Sequence, residues 1–409
     1  MENTSKPTPF ISGKKVIVSG AGIGGLAFAI AIQKHHELHY PTLPAPIVRI
    51  YERDSESSAK NREGYSMSIR SDGVSRGMQM LQNLGIMEDI IGAGVQGMEK
   101  IHLKLWDRQW EEIINAKIDS ADLPQPLVRV ARRVLKKQLL EVTPKETVIG
   151  WGVTCVGATK LESGKTRVEF SDGTGEECDL LIAADGSKSK LRAFLRPANT
   201  VQFAGAFQII GTAHFPDGKI PHPISRAFGL YLNGSGNGSF VSPIDETHVV
   251  WTVSHLSKES REPRKDPDTL MKEVIERSQT FKEPFFTLLK ATDLTTIREL
   301  VVEDKQPFGH DSQLVKRGVV FIGDANHAVS PFAGNGANLA MMDAWDLAEQ
   351  LSTKETLEDA LKAYDTVSMP RARTVIKQSH MTIALAHSTG WKLMLFSWVL
   401  KLWNRFRGW

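Results

Sequence analysis

The sequence predicts an α/β fold with α+β elements: a Rossmann-like domain, interrupted by an inserted, mostly antiparallel β-sheet domain and closed by C-terminal helices. Three observations carry this expectation. Gly20, Gly22 and Gly25 form a G-x-G-x-x-G run between a short apolar strand and a helical stretch. Far downstream, Gly318-Val319-Val320-Phe321-Ile322-Gly323-Asp324 is again an apolar strand that ends in glycine and an acid. Between the two, residues 201–253 change to short alternating strands with turns at Asp217-Gly218 and Asn233-Gly234.

The elements follow in order. Lys15 to Ser19 reads as a buried strand, Ile23 to Gln33 as the helix after it, and Ile47 to Tyr51 as the second strand of a βαβ unit. A proline-bearing excursion, His35 to Pro46, separates them. Asp72 to Leu84 is helical by the spacing of Val74, Met78, Leu81 and Leu84. Ile101–Trp106 and Trp110–Ile114 form a hairpin around Asp107-Arg108, and Arg132 to Glu141 is a helix. Thr147–Ile149, Val153–Thr159 and Arg167–Phe170 alternate as strands, and Asp179–Ala183 is a buried one. After the central sheet come helices near Leu270–Ser278 and Phe285–Lys290, then a strand at Ile297–Val302. Val319–Ile322 returns to the first type of strand, and Asn335–Leu351 and most of the remainder are helical.

Composition narrows the function. The 409 residues are 41% apolar and 24% charged, with a net charge of +3, so a large core is available and a nucleic-acid surface is not expected. Cys155 and Cys178 lie outside any CxxC or Cys/His cluster, which argues against zinc and against a disulfide framework. No apolar stretch opens the chain, so a cytoplasmic protein is expected. The segment Trp391 to Trp403 is apolar and aromatic, with lysines at intervals and Arg405 and Arg407 beyond. It is shorter than the roughly 20 residues of a spanning helix. Two readings stay open: a closing helix packed on the domain interface, or an interfacial helix giving peripheral membrane contact.

The glycine run is the first chemical signal. Gly20 permits a tight turn, Gly22 lets backbone approach a pyrophosphate, and Gly25 lets the helix pack close to the sheet. The helix N-terminus offers free N–H groups and a partial positive charge. Glu52 ends the second strand, where a carboxylate can accept from ribose hydroxyls. It lies about 27 residues beyond Gly25 against a usual spacing of about 20, an excess that the His35–Pro46 excursion accounts for. Arg53 beside it faces either solvent or the nucleotide. Asp185, in Ala184-Asp185-Gly186, repeats the strand-end acid ahead of a helix with Ser187, Ser189 and Arg192. Asp324 can accept from the hydroxyls of a sugar-alcohol chain. Pro331-Phe332-Ala333-Gly334-Asn335-Gly336-Ala337 lets backbone lie against a flat ring while the helix at Gly336 points its N-terminus there. This layout indicates bound FAD. His327 reads as a structural histidine rather than a base, and no Ser/His/Asp or paired-carboxylate arrangement stands out, so the cofactor carries the chemistry.

On these motifs the chain resembles the single-component FAD-dependent aromatic hydroxylases of the para-hydroxybenzoate hydroxylase type, closest to the compact members that include the tetracycline-inactivating monooxygenases. The resemblance implies that Gly20, Gly22, Gly25 and Glu52 hold the ADP half and that Gly64 lines the flavin. It also implies that Arg132, opening an Arg-x-x-Leu-x-x-x-Leu helix, touches FAD. Asp185-Gly186 would be the "DG" motif shared with NADPH, Gly323-Asp324 the "GD" motif, and Pro331 to Ala337, with Gly334 and Gly336, the flavin-ring loop. Asn326 and Asn335 depart from the usual alanine and glutamine of these motifs. The implied domains are cofactor-binding segments at 1–75, 101–200 and 304–354, a helical excursion at 76–100, a substrate sheet at 201–303 and C-terminal helices at 355–409. NADPH or NADH would reduce the flavin, and O2 would add to give a C4a-hydroperoxide that delivers one oxygen atom to an aromatic or polycyclic small molecule, a secondary metabolite by expectation. Ile210, Arg226, Trp251 and Phe332 are the substrate-lining candidates. Hydroxylation is the leading outcome, with epoxidation and Baeyer–Villiger insertion as alternatives on the same fold. A flavin halogenase is disfavoured because no Trp-x-Trp-x-Ile-Pro segment occurs. A low-turnover flavoprotein serving as redox sensor or binding partner is the alternative from another class.

Overall fold

A computed structural model describes residues 8–61, 65–95, 103–115, 123–393, 395–396 and 398–399. Its centre is a five-stranded parallel sheet in the order Val319–Phe321, Leu180–Ala183, Lys15–Ser19, Ile47–Glu52, Val148–Trp151. Val319–Phe321, Leu180–Ala183 and Lys15–Ser19 are short, nearly continuous buried runs because helices and a small sheet cover both faces, whereas Ile47–Glu52 alternates buried with more exposed positions. The helix Ile23–His39 is buried along most of its length, from Ile23 through Ile32, and packs against the helix Gly336–Thr353. It runs past Gln33 because His35 is itself buried, its ring 4.5 Å from Trp345. The excursion before the second strand therefore begins at Tyr40 rather than at His35.

The second domain is a seven-stranded sheet: Thr292–Asp304, Gln202–His214, His248–Leu256, Asn237–Pro243, Phe228–Tyr231, Leu103–Trp106, Glu112–Asn115. All neighbours are antiparallel except Phe228–Tyr231 with Leu103–Trp106. The hairpin at 103–115 thus belongs to the inserted sheet and not to the cofactor domain in which the sequence reading placed it. Leu105, Ile113 and Ile114 bury against Leu230 and Leu232, a partnership more than a hundred residues distant.

The two faces of this sheet differ. Ile209, Ala213, Val241, Val249, Trp251 and Val253 pack against the helices Pro267–Arg277 and Phe285–Lys290. With a strand period of two, Ile210, Phe240, Thr252 and Ser254 point the other way. There they meet the long helix Leu357–Ala386 and its extension: Ser254 Oγ is 3.0 Å from His387 Nε2, and Ala206 and Val302 cluster with Ile383. Joining the domains is a two-stranded sheet, Ser66–Arg70 with Leu127–Ala131. No helix among the described residues is long and apolar enough to cross a membrane.

Candidate active site

The glycine turn has the geometry its spacing predicts. Gly20 takes φ +105°, and a Cβ there would stand 2.7 Å from the carbonyl oxygen of Ala184. A Cβ on Gly25 would stand 2.0 Å from the carbonyl oxygen of Gly20. At Gly22 a Cβ would meet nothing within 4 Å, so the backbone there faces open space. Two of the glycines are needed by the fold itself, and the third keeps a surface clear.

That surface is one wall of a cleft of about 150 Å³ bordered by Gly20, Gly22, Glu52, Arg53, Arg132 and Asp185. Lys136, Lys188 and Lys190 add positive charge around it. Buried Glu52 takes the Ala21 N–H on Oε2 at 2.8 Å and the Asp54 N–H on Oε1 at 3.0 Å, so it pins the glycine turn to its own strand end. Asp185 accepts from the Leu191 N–H at 3.3 Å, and burial raises its pKa; its other oxygen is buried with no partner among the described residues.

The second half of the site is built by the returning strand. Gly323, at φ +55°, turns the chain so that Asp324 starts a short helix. Asp324 Oδ1 lies 4.0 Å from where a Cβ on Gly336 would stand, so acid and ring loop share one corner. Burial raises the Asp324 pKa, and His327, Arg132 and Arg192 oppose that rise. The Pro331–Ala333 turn, Gly334 and Gly336 follow, with Asn335 capping the helix and its Oδ1 buried and unpartnered among the described residues. Ala337 is half-buried in the first turn of that helix. Gly64 lies outside the described residues, but Tyr65 after it is 55% exposed, accepts the Arg132 N–H on its carbonyl at 3.2 Å, and is within electrostatic reach of Arg132 and Asp324.

The open cradle at Gly22, the helix N-terminus behind it and the unpaired oxygens of Asp185 and Asn335 all suit a dinucleotide with a flat ring. FAD fits these residues. Among the described residues no cluster of three His, Cys, Asp or Glu could hold a metal ion.

Groups that sequence reasoning passed over hold this corner in place. Asp343, inside an apolar helix, accepts the Gly323 N–H at 2.9 Å and sits 2.5 Å from His327 Nε2. Its other oxygen takes Arg371 at 2.8 Å and Ser368 at 2.9 Å, and Arg371 continues to Asp346 at 2.6 Å. Burial alone would raise the Asp343 pKa, but His327 and Arg371 hold it well below the carboxylate range; Asp343 and Asp324 in turn raise His327 against its own burial. His327 is thus a buried ion-pair partner of Asp343. Asn338 ties the ring loop to the linking sheet, accepting the Arg70 N–H at 3.1 Å and donating to Ser68 O at 2.9 Å. Neither Asp343 nor Asn338 carries a motif; a polar residue within an apolar helical run was the available signal.

The substrate candidates divide. Ile210 is on the sheet face toward the cofactor loop, and Phe332 packs from that loop onto Ala206, Val302 and Ile383. Trp251, by contrast, points to the opposite face, is fully buried beside Phe285 and donates its indole N–H to Thr292 Oγ1 at 2.8 Å, so it is a core residue and not a partner of Ile210. Arg226 is exposed on the turn Ile224–Arg226 ahead of Phe228, outside the enclosed face.

Comparison with known proteins agrees with this geometry. A family model described as an FAD binding domain matches residues 15–379. Monooxygenase cfoF of Aspergillus candidus is 35% identical over 393 residues, covering 93% of this chain and 93% of that protein. The FAD-dependent urate hydroxylase of Klebsiella pneumoniae is 25% identical over 385 residues, covering 93% of this chain and 92% of that one. The fold is shared with the crystal structure of Klebsiella pneumoniae HpxO complexed with FAD and uric acid, at a TM-score of 0.76, 24% identity, and coverage of 96% and 94%. The chain belongs to the FAD binding domain family and stands among its FAD-dependent monooxygenases.

Proposed function

We propose that this monooxygenase uses NADPH or NADH and O2 to insert one oxygen atom, by hydroxylation, into an aromatic or polycyclic small molecule held between the inserted sheet and the Pro331–Ala337 loop. One observation carries the reading: Arg132 lines the open Gly22 cradle and also acts electrostatically on Asp324 at the other corner, so one extended dinucleotide can span the two. Bound FAD supplies the oxygen activation. The chain supplies the rest. Gly22 and the amides of the following helix take the pyrophosphate, Glu52 the ribose, and Asp324 the ribityl hydroxyls. Ile210, Phe240 and Phe332 offer an apolar bed for a ring, and the helix Leu357–Ala386 covers that face and excludes water. A relative named for urate supports a ring-bearing substrate.

The test is turnover under ¹⁸O2 with a library of phenolic and polycyclic compounds. One labelled oxygen is expected in the product, with NADPH oxidation accelerated at least about tenfold by the accepted compound. NADPH consumption that no compound accelerates, and no labelled product, would favour the sensor reading instead.

A second reading concerns the C-terminal segment. Trp391, Leu395, Trp398 and Val399 are each more than 45% exposed and fall at helical spacing, with Lys392 beside them. We infer that this stripe rests on an anionic lipid surface. Truncation after Gly390 is expected to abolish co-sedimentation with vesicles of mixed anionic and neutral lipid while FAD content is retained. Equal sedimentation of the truncated and full chains would contradict it.

A further inference from the structure

Arg129 is the exception among the buried arginines. Arg371 faces two carboxylates, Asp343 and Asp346, and Arg192 donates to the carbonyl oxygens of Asp324, Ala325 and Ser187. Arg129 is 4% exposed and has no carboxylate partner among the described residues. Its two terminal nitrogens donate to the hydroxyls of Ser68, at 2.8 Å, and Ser66, and its Nε is buried with no partner among the described residues. Burial lowers its pKa to about 9, so it is a cation at neutral pH. Burying a cation away from any carboxylate is strongly unfavourable. Two neutral hydroxyls and two aromatic faces return only part of that.

Its direction is fixed by strand alternation. Val128 and Val130, with Met67 and Ile69 opposite, face the cofactor-domain core. Arg129, Ser66 and Ser68 therefore face the inserted sheet. The guanidinium lies 5.0 Å from the Phe228 ring and 5.9 Å from the Phe240 ring, and Ser66 Oγ reaches Pro243 O at 3.2 Å. Phe240 is partly buried and shares the sheet face of Thr252 and Ile210. Arg132, three residues on, lines the cofactor cleft; Arg129 does not.

We infer that Arg129, with Ser66 and Ser68, is the anion-recognising end of the substrate site and takes an ionised oxygen of the substrate, an aromatic carboxylate or phenolate, whose ring lies along Phe228 and Phe240. The guanidinium fork matches a carboxylate in two bonds, and the aromatic pair accepts the attached ring. Arg129 replaces exposed Arg226 as the cation that would select such a substrate. This rests on the monooxygenase reading and deepens it.

The test uses purified holoenzyme and two matched pairs, salicylate with salicylamide and 1-hydroxy-2-naphthoate with its amide, followed by tryptophan fluorescence. Wild type is expected to bind the acid of at least one pair about tenfold more tightly than its amide, as a charge-assisted hydrogen bond provides. Arg129→Gln is expected to bring the two within about twofold, with FAD content unchanged. Should that variant not be recovered folded, Arg129→Lys serves: it keeps the charge and loses the fork, and the preference should fall at least about threefold. Wild type that prefers neither acid, or a variant with the ratio unaltered, overturns the inference. FAD content and NADPH oxidation of the same wild-type preparation report separately on the monooxygenase reading.

Discussion

Gly25→Ala is expected to abolish stable folding. The new methyl group would sit 2.0 Å from the carbonyl oxygen of Gly20 and 3.1 Å from Val18 Cγ1, and the first of these is backbone that cannot rotate away. Overpacking a core usually costs about 1–3 kcal/mol. A collision between the helix and the strand-end turn that the whole sheet is built on lies at or beyond the top of that range. The strand Lys15–Ser19 pairs on both sides, with Leu180–Ala183 and Ile47–Glu52, so pushing the helix off it disturbs both pairings. The measurement is soluble yield and thermal unfolding; a Tm within about 1 °C of wild type, less than about 1 kcal/mol for a chain of this size, would contradict the packing role. Gly22→Ala should behave oppositely. Gly22 has φ −80°, which any residue adopts, and open space in front of it. Its alanine variant should fold within about 0.5 kcal/mol of wild type and lose cofactor.

Asp343→Asn carries the second large effect. One carboxylate holds the Gly323 amide, His327 and Arg371 together, and the side chains of Asp343, His327 and Arg371 are all buried. Removing one partner of a buried ion pair costs about 3–5 kcal/mol because the other charge stays behind. The pH dependence has a definite sign. Asp343 is depressed, so its contribution is present above the unfolded carboxylate pKa of about 4 and is lost as pH falls. His327 is raised, so its contribution is complete below its unfolded pKa of about 6.5 and is lost as pH climbs through the folded value. The stability gap between wild type and Asp343→Asn should therefore be widest between about pH 4 and 6.5 and narrow as pH rises through the folded value of His327. A gap that never narrows as pH rises, or that widens, would show that the His327 charge is not what Asp343 compensates.

The cofactor half of the molecule was legible because its signals are local. Lys15–Ser19 and Arg132–Glu141 fall where apolar runs and an Arg-x-x-Leu-x-x-x-Leu spacing put them. Each glycine of the turn does a separate job that its position already specifies. What escaped depends on partners distant in sequence. The 103–115 hairpin was readable as a hairpin, but its pairing with Phe228–Tyr231 leaves no local mark. Trp251 was placed on the wrong face because alternation fixes that residues 210 and 251 lie on opposite sides only once the register, Gly211 opposite Trp251, is known. Asp343, Asn338 and Arg129 sit inside apolar stretches, where a lone polar residue signals a buried partner without naming it.

The proposed binding of one FAD across the Gly22 cradle and the Asp324 corner can be measured by titrating flavin-stripped protein with FAD, followed by flavin fluorescence. Wild type should bind about one equivalent tightly, and Gly22→Ala, with unchanged circular dichroism, should bind at least about a hundredfold more weakly, the loss of roughly 2.7 kcal/mol. Wild type that takes up no FAD, or a Gly22→Ala protein that binds it as tightly as wild type, would contradict the account.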